Sequence, residues 1–226
     1  MKESIFKNTI VQNIIKFSTA LAFALFTLYQ LFLTLLIETS RTGRIIGIFI
    51  YLLITLASFF GIVDNVSLRI TRLILLMTGL TLLFAVRLLN APVIFSSLDF
   101  NNVPSVLSFS VYILMQFGTL LLIAGYLILR SKIKKETKRK ILVIMVSVTV
   151  AVYFLILIME SIELVVYHLN IELRLRYTLI SRFVYFFAFS SMALSYLLPV
   201  PDLEKEDKSG QFVYSEDVDD ELDLIL

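Results

Sequence analysis

Cysteine and tryptophan are absent from the 226 residues, and histidine occurs once, as His168. Without thiols there is no disulfide, no thiolate nucleophile and no Cys-bearing zinc site, and one imidazole cannot clasp a haem from both faces. Glycine is scarce, seven in all, and none stands in a phosphate-cradling loop. The sequence has no Gly-x-Ser-x-Gly elbow and no His-Glu-x-x-His pair, and its apolar runs contain no Asp. Charge is also thin: 17% of residues are Asp, Glu, Lys or Arg, against about 25% in soluble domains. These shortages exclude the common catalytic arrangements. The expectation is a non-enzymatic protein without metal or cofactor.

What fills the chain instead is hydrocarbon. Apolar residues make up 58% of it, above the roughly 45–50% of soluble proteins. A bilayer core of roughly 30 Å needs about 20 apolar residues in a helix. Six runs meet or approach that length: Phe17–Ile37, Ile45–Val63, Leu73–Leu89, Val106–Leu129, Ile141–Met159 and Tyr177–Leu198. The four prolines, Pro92, Pro104, Pro199 and Pro201, all fall outside these runs, where helix breakers belong. The runs do not alternate as barrel strands would, and backbone in lipid must satisfy its own hydrogen bonds. The fold expected is an all-α membrane protein, a six-helix transmembrane bundle over 17–198. It is preceded by an amphipathic segment at 1–16 and followed by an acidic tail at 199–226 without regular structure. The first run is longer than a signal-peptide core, and no A-x-A site follows it. Before it, Ile5, Phe6, Ile10, Ile14 and Ile15 recur at near-helical spacing among Lys2, Lys7 and Lys16. That fits an interfacial helix, or the solvated first turns of the first span.

Orientation follows from the basic residues of the short loops. Arg130–Lys140 reads RSKIKKETKRK, seven basic residues against Glu136. With that loop in the cytoplasm, fourteen Lys and Arg lie inside and four outside, and both termini are cytoplasmic. The loop at Glu38–Arg44 runs mildly against the rule. Leu73–Leu89, the shortest run at 17 residues, is the weak joint on which the orientation of the second half depends. The outer loop Asn90–Ser105 has neither Lys nor Arg and reads as a turn, or as a cap lying in the interface.

Ionisable groups at membrane depth are functional candidates by default. Arg87 closes the third run, Arg182 lies within the sixth, and Glu160 and Glu163 stand on one helix face after the fifth. The orientation brings all four to the outer leaflet. They form either a polar pocket for an ion or small ligand beneath Tyr167 and His168, or a structural ion-pair clasp. Glu160 or Glu163 is the partner expected for Arg182. Small residues mark close helix contacts: Gly43-x-x-x-Gly47, Gly118 with Gly125, and Ser181, Ala188, Ser191 and Ser195 along one face. These faces serve packing within the chain or a homo-oligomer seam. Halves of similar sequence and spans broken at midplane, the marks of many secondary transporters, are not evident.

From Pro199 onward the character changes. The tail carries ten Asp and Glu against two Lys, net −8, while the first 198 residues carry +10. A segment so charged does not fold alone. Val218, Leu222 and Ile225 stand at helical spacing, so the end of the tail could dock on a cytoplasmic protein as a short amphipathic helix. It could equally stay solvated, or lie against the basic loop at Arg130–Lys140. Asp220 with Leu224-Ile225 also fits an acidic dileucine pattern. Ser215–Leu226, SEDVDDELDLIL, resembles the opening of the DNA-binding domain in bacterial LuxR-type regulators, in Ser215, Leu222, Leu224, Ile225 and Leu226. Acidic residues replace the usual Arg-Glu pairs, and the helix-turn-helix is absent. The resemblance implies the membrane-sensor half of such a regulator, without nucleic-acid binding, since a net negative tail repels phosphate. The location expected is the plasma membrane of a bacterium. The function expected is a sensor or interaction module whose partners are the bilayer and a cytoplasmic protein. The alternative is a small transporter or channel using the Arg/Glu cluster.

Overall fold

The computed structural model describes residues 9–36, 41–62, 66–131, 133–167, 172–198, 204–206 and 212–214. Each apolar run forms helix over most of its described length. The elements are α1 (Thr9–Leu36), α2 (Arg41–Phe60), α3 (Val66–Leu89), a single turn and a half α4 (Ala91–Ser96), α5 (Val103–Arg130), α6 (Lys135–Tyr167) and α7 (Glu172–Ser195). In the tail, β1 (Glu204–Glu206) pairs antiparallel with β2 (Phe212–Tyr214), Lys205 opposite Val213. This ribbon departs from the expectation of a tail without regular structure. The docking residues Val218, Leu222 and Ile225 lie outside the described residues, as do His168 and the stretch resembling a regulator.

Thr9–Lys16 continue α1 without a break, so this part of the N-terminal segment belongs to the first helix. Pro92 and Pro104 sit in the first turns of α4 and α5, where a missing N–H costs no hydrogen bond. The outer loop is accordingly folded: Ser105 Oγ donates to the Ser97 carbonyl, Asp99 N–H donates to Ser105 Oγ, and Phe95 packs on Phe109.

Among the described residues, four stretches are long and apolar enough to cross a membrane: Thr9–Phe32, Ile70–Ser96, Val103–Arg130 and Glu136–Leu164. They mark the chain as an integral membrane protein. Among the described residues, α2 and α7 contribute the apolar stretches Ile45–Phe60 and Ile180–Ser195, about 24 Å each at 1.5 Å per residue. The third run, expected to be the weak joint, is therefore among the long ones.

The six long helices pack as a closed ring. Each touches its neighbour in sequence (α3 reaching α5 past the short α4), and α7 returns to α1. Large apolar side chains such as Leu28, Ile74, Ile144 and Phe187 face outward. Such an apolar exterior suits lipid, not water. Inside, Phe23 and Phe26 of α1, Tyr51 of α2, Tyr153 of α6, and Tyr185 and Phe189 of α7 are joined by edge, tilted and stacked ring contacts, with centroids 4.6–5.8 Å apart. Such pairs add about 0.5–1.5 kcal/mol each beyond the area they bury. The axis of the ring is thus filled with aromatic carbon at this level. Thr27 of α1 and Thr55 of α2 share a hydrogen bond of 3.0 Å across their interface.

Small residues act locally. Gly118 and Gly125, seven apart on α5, receive the rings of Tyr153 and Tyr196: a Cβ would meet them at 3.0 and 3.1 Å. Gly79 of α3 lies against Ile54 of α2, where a Cβ would stand 2.6 Å from Cγ1. Ala188 is fully buried, and Ser181 and Ser191 nearly so. Gly47 differs, since a Cβ there would meet nothing within 4 Å. The Gly43-x-x-x-Gly47 face thus makes no close approach at Gly47 inside the chain.

Candidate functional site

Arg87, Glu160, Glu163 and Arg182 gather at one end of the ring, where α3, α5, α6 and α7 meet. Their chemistry divides them into two groups rather than one pocket.

Arg182, just before the middle of α7, forms an ion pair with Glu160 of α6. Both side chains are more than three-quarters shielded from the exterior, 23% and 13% exposed. Taking either charge into a low-dielectric interior alone would cost several kcal/mol, and the pair offsets that cost. Glu163, one turn on, does not share Arg182. Its Oε1 accepts a hydrogen bond of 2.9 Å from Ser108 at the start of α5. The helix pitch places both carboxylates on one face. The register of α6 against α7 then selects Glu160 for Arg182.

Arg87 has other company. Its Nη1 donates to the Met115 carbonyl at 3.1 Å and to Thr119 Oγ1 at 2.9 Å, and its Nη2 donates to the Tyr185 hydroxyl at 2.6 Å. Tyr51 and Tyr153 also lie within electrostatic range of the guanidinium, and Glu160 feels its charge from further off. Every direct acceptor is neutral. The side chain ties α3 to α5 and α7 and seats its charge at the aromatic axis. Tyr112 of α5 fastens the same corner, donating to the Arg87 carbonyl at 2.8 Å, and Gln116 Nε2 donates to the Tyr112 hydroxyl at 3.3 Å.

Two polar atoms at this end, Arg182 Nε and Gln116 Oε1, are buried with no partner among the described residues. Buried polar atoms are nearly always paired, with ordered water where protein does not serve.

The expected cluster is therefore brought to one end of the bundle but not to one point. Arg182 and Glu160 join, Glu163 turns to Ser108, and Arg87 turns to tyrosine and threonine. Sequence reasoning missed Tyr185, Thr119, Met115 and Ser108. Tyr185 shares the inward face of α7 with Ala188 and Phe189, and that placement was the one available signal. Among the described residues no group of His, Asp and Glu could hold a metal ion. The chain matches no protein-family model, no curated protein and no solved structure.

Proposed function

We propose that this chain is a six-span sensor or interaction module of a cell membrane. Both termini are cytoplasmic, it carries out no catalysis, and its acidic tail contacts a cytoplasmic protein. One observation carries the reading: the intramembrane charges are spent on ties between helices, around an axis filled by aromatic rings. Arg87 is the clearest case, with three neutral acceptors on two other helices. Such ties fix how α3, α5, α6 and α7 stand against one another. A ligand or lipid that favours a different arrangement must break them, and α7 hands the change directly to the tail. The charge contrast between tail and bundle and the resemblance of Ser215–Leu226 to a regulator's domain opening support a tail that is read by a partner.

A small transporter or channel is the second reading. It is favoured by the buried Arg182 Nε and Gln116 Oε1, which a hydrated path through the bundle would satisfy. Proteoliposomes separate the two. Under the first reading, ion and solute flux through the reconstituted protein stays at the level of empty liposomes. Flux above that level, abolished by Arg182→Gln, would establish the second.

A further inference from the structure

The end of the bundle that holds Arg182 and Glu160 also carries the connection from α3 to α5, residues 90–102. Membrane dimensions fix its level. A core of roughly 30 Å takes about 20 helical residues, so a helix entering at Ile70 has crossed by the end of α3 at Leu89. The apolar stretch nevertheless continues through α4 to Ser96, and the next one starts at Val103. The connection is thus held between two crossings, where hydrocarbon meets headgroups.

Its side chains are not those of a loop in water. Leu89, Val93, Phe95, Phe100 and Val103 are all more than half exposed, Phe100 to 80%. Asp99 is the one charged residue between Arg87 and Arg130. The polar groups of the connection bond within it. The N–H groups of Ile94, Ser97, Leu98 and Asn102 each find a carbonyl there, at 3.1–3.3 Å. The hydroxyls of Ser96 and Ser97 donate to the Val93 and Ile94 carbonyls at 2.8 and 3.0 Å, and Asn101 N–H donates to Asp99 Oδ1 at 2.9 Å. A backbone so satisfied loses little where water is scarce, and apolar side chains gain by leaving water. Continuity selects the occupant. Exposed Leu88 and Leu89 lead into the connection, and exposed Val103 leads out of it toward Ile113 and Phe117 on the outward side of α5. A surface that runs unbroken into the lipid-facing exterior of two spans meets lipid.

We propose that residues 90–102 form an interfacial anchor, with Val93, Phe95 and Phe100 seated in the bilayer at the boundary of acyl chains and headgroups. The partner of this surface is membrane lipid. The inference rests on the membrane class of the chain and not on the sensor reading. It reaches the candidate site through one joint: Asn90 N–H donates to the Arg87 carbonyl at 3.0 Å, the oxygen that also accepts from Tyr112. The anchor therefore holds the turn of α3 that carries Arg87 at a fixed height in the leaflet.

The chain has no tryptophan, so a single one reports its own surroundings. The test places full-length Val93→Trp and Phe100→Trp in phosphatidylcholine vesicles whose acyl chains are brominated near the glycerol end or near the methyl end. Lys134→Trp in the exposed basic segment and Phe187→Trp on the outward side of α7 are the controls. The expected result for both loop variants is emission blue-shifted from that of Lys134→Trp and loss of most of its intensity to the shallow bromines, less to the deep ones. Phe187→Trp shows the reverse order. Phe95→Trp is quenched as the loop variants are, and loses that quenching when Val93→Asp and Phe100→Asp are added, with helix content by circular dichroism unchanged. Should that combination not fold, Val93→Ser with Phe100→Ser serves in its place, and the single tryptophans decide on their own. Emission as red as that of Lys134→Trp, without quenching, would overturn the proposal and leave the loop in water. Blue-shifted emission that brominated lipid does not quench would overturn it in favour of a protein cover, such as a second copy of the chain. Quenching of Lys134→Trp equal to that of the loop would also overturn it, since the tryptophan would then carry itself to the interface. So would quenching that survives the added Asp or Ser residues. Flux through proteoliposomes tests the sensor reading separately, and its outcome leaves the quenching unaltered.

Discussion

Arg182 and Glu160 offer the sharpest test at the residue scale. Removing one partner strands the other's charge in a shielded site, a loss of about 3–5 kcal/mol. Arg182→Gln and Glu160→Gln should each lower the unfolding midpoint, and the double variant should recover much of it, giving a large coupling energy in a double-mutant cycle. Glu163→Gln combined with Arg182→Gln should show almost none, since Glu163 bonds Ser108. Tyr185→Phe removes the 2.6 Å acceptor of Arg87 and should cost about 1.5–3 kcal/mol, read by the same unfolding measurement. How much of this could be read in advance differs by residue. Helix pitch alone sets Glu160 and Glu163 on one face, so the Arg182 pairing was legible down to two candidates. The partner of Arg87 was not, because Tyr185 lies 98 positions away and only tertiary packing brings it near.

Helices were the most legible elements, because continuous apolar runs in lipid have few other ways to satisfy their backbone. Their ends were less so. α6 runs from Lys135 to Tyr167, well beyond the apolar stretch Ile141–Met159, since charged residues continue a helix after it leaves hydrocarbon. The small-residue pattern marked close approach but not where it happens. Gly79→Ala would press on buried Ile54 and should destabilise by about 1–3 kcal/mol. Gly47→Ala meets open space and should stabilise by about 0.5–1 kcal/mol through helix preference. Thermal unfolding in detergent, followed by circular dichroism, separates the two. An unfolding midpoint that falls for Gly47→Ala would mean that a neighbour, such as a second copy of the chain, occupies that face.

For the molecule as a whole, the six-span orientation can be mapped without first removing native thiols, because the chain has none. Single cysteines at Ser97 and Asn170 should react with an impermeant thiol reagent from outside, and those at Lys135 and Ser209 should not. External reaction at position 135 would invert the arrangement. Run lengths made the helices and the membrane class readable at this scale, but not the closure of the ring, since nothing in the sequence says that the last helix returns to the first. That closure sets a timetable for assembly. Phe23 of α1 packs on Phe189 of α7, whose codon is read 166 residues later. At roughly 5–20 residues per second the ribosome takes on the order of 10–30 s to supply the missing neighbour. Throughout that interval the side of the first helix that meets α7 stays uncovered, and a nascent chain stopped short of α7 leaves it so for good.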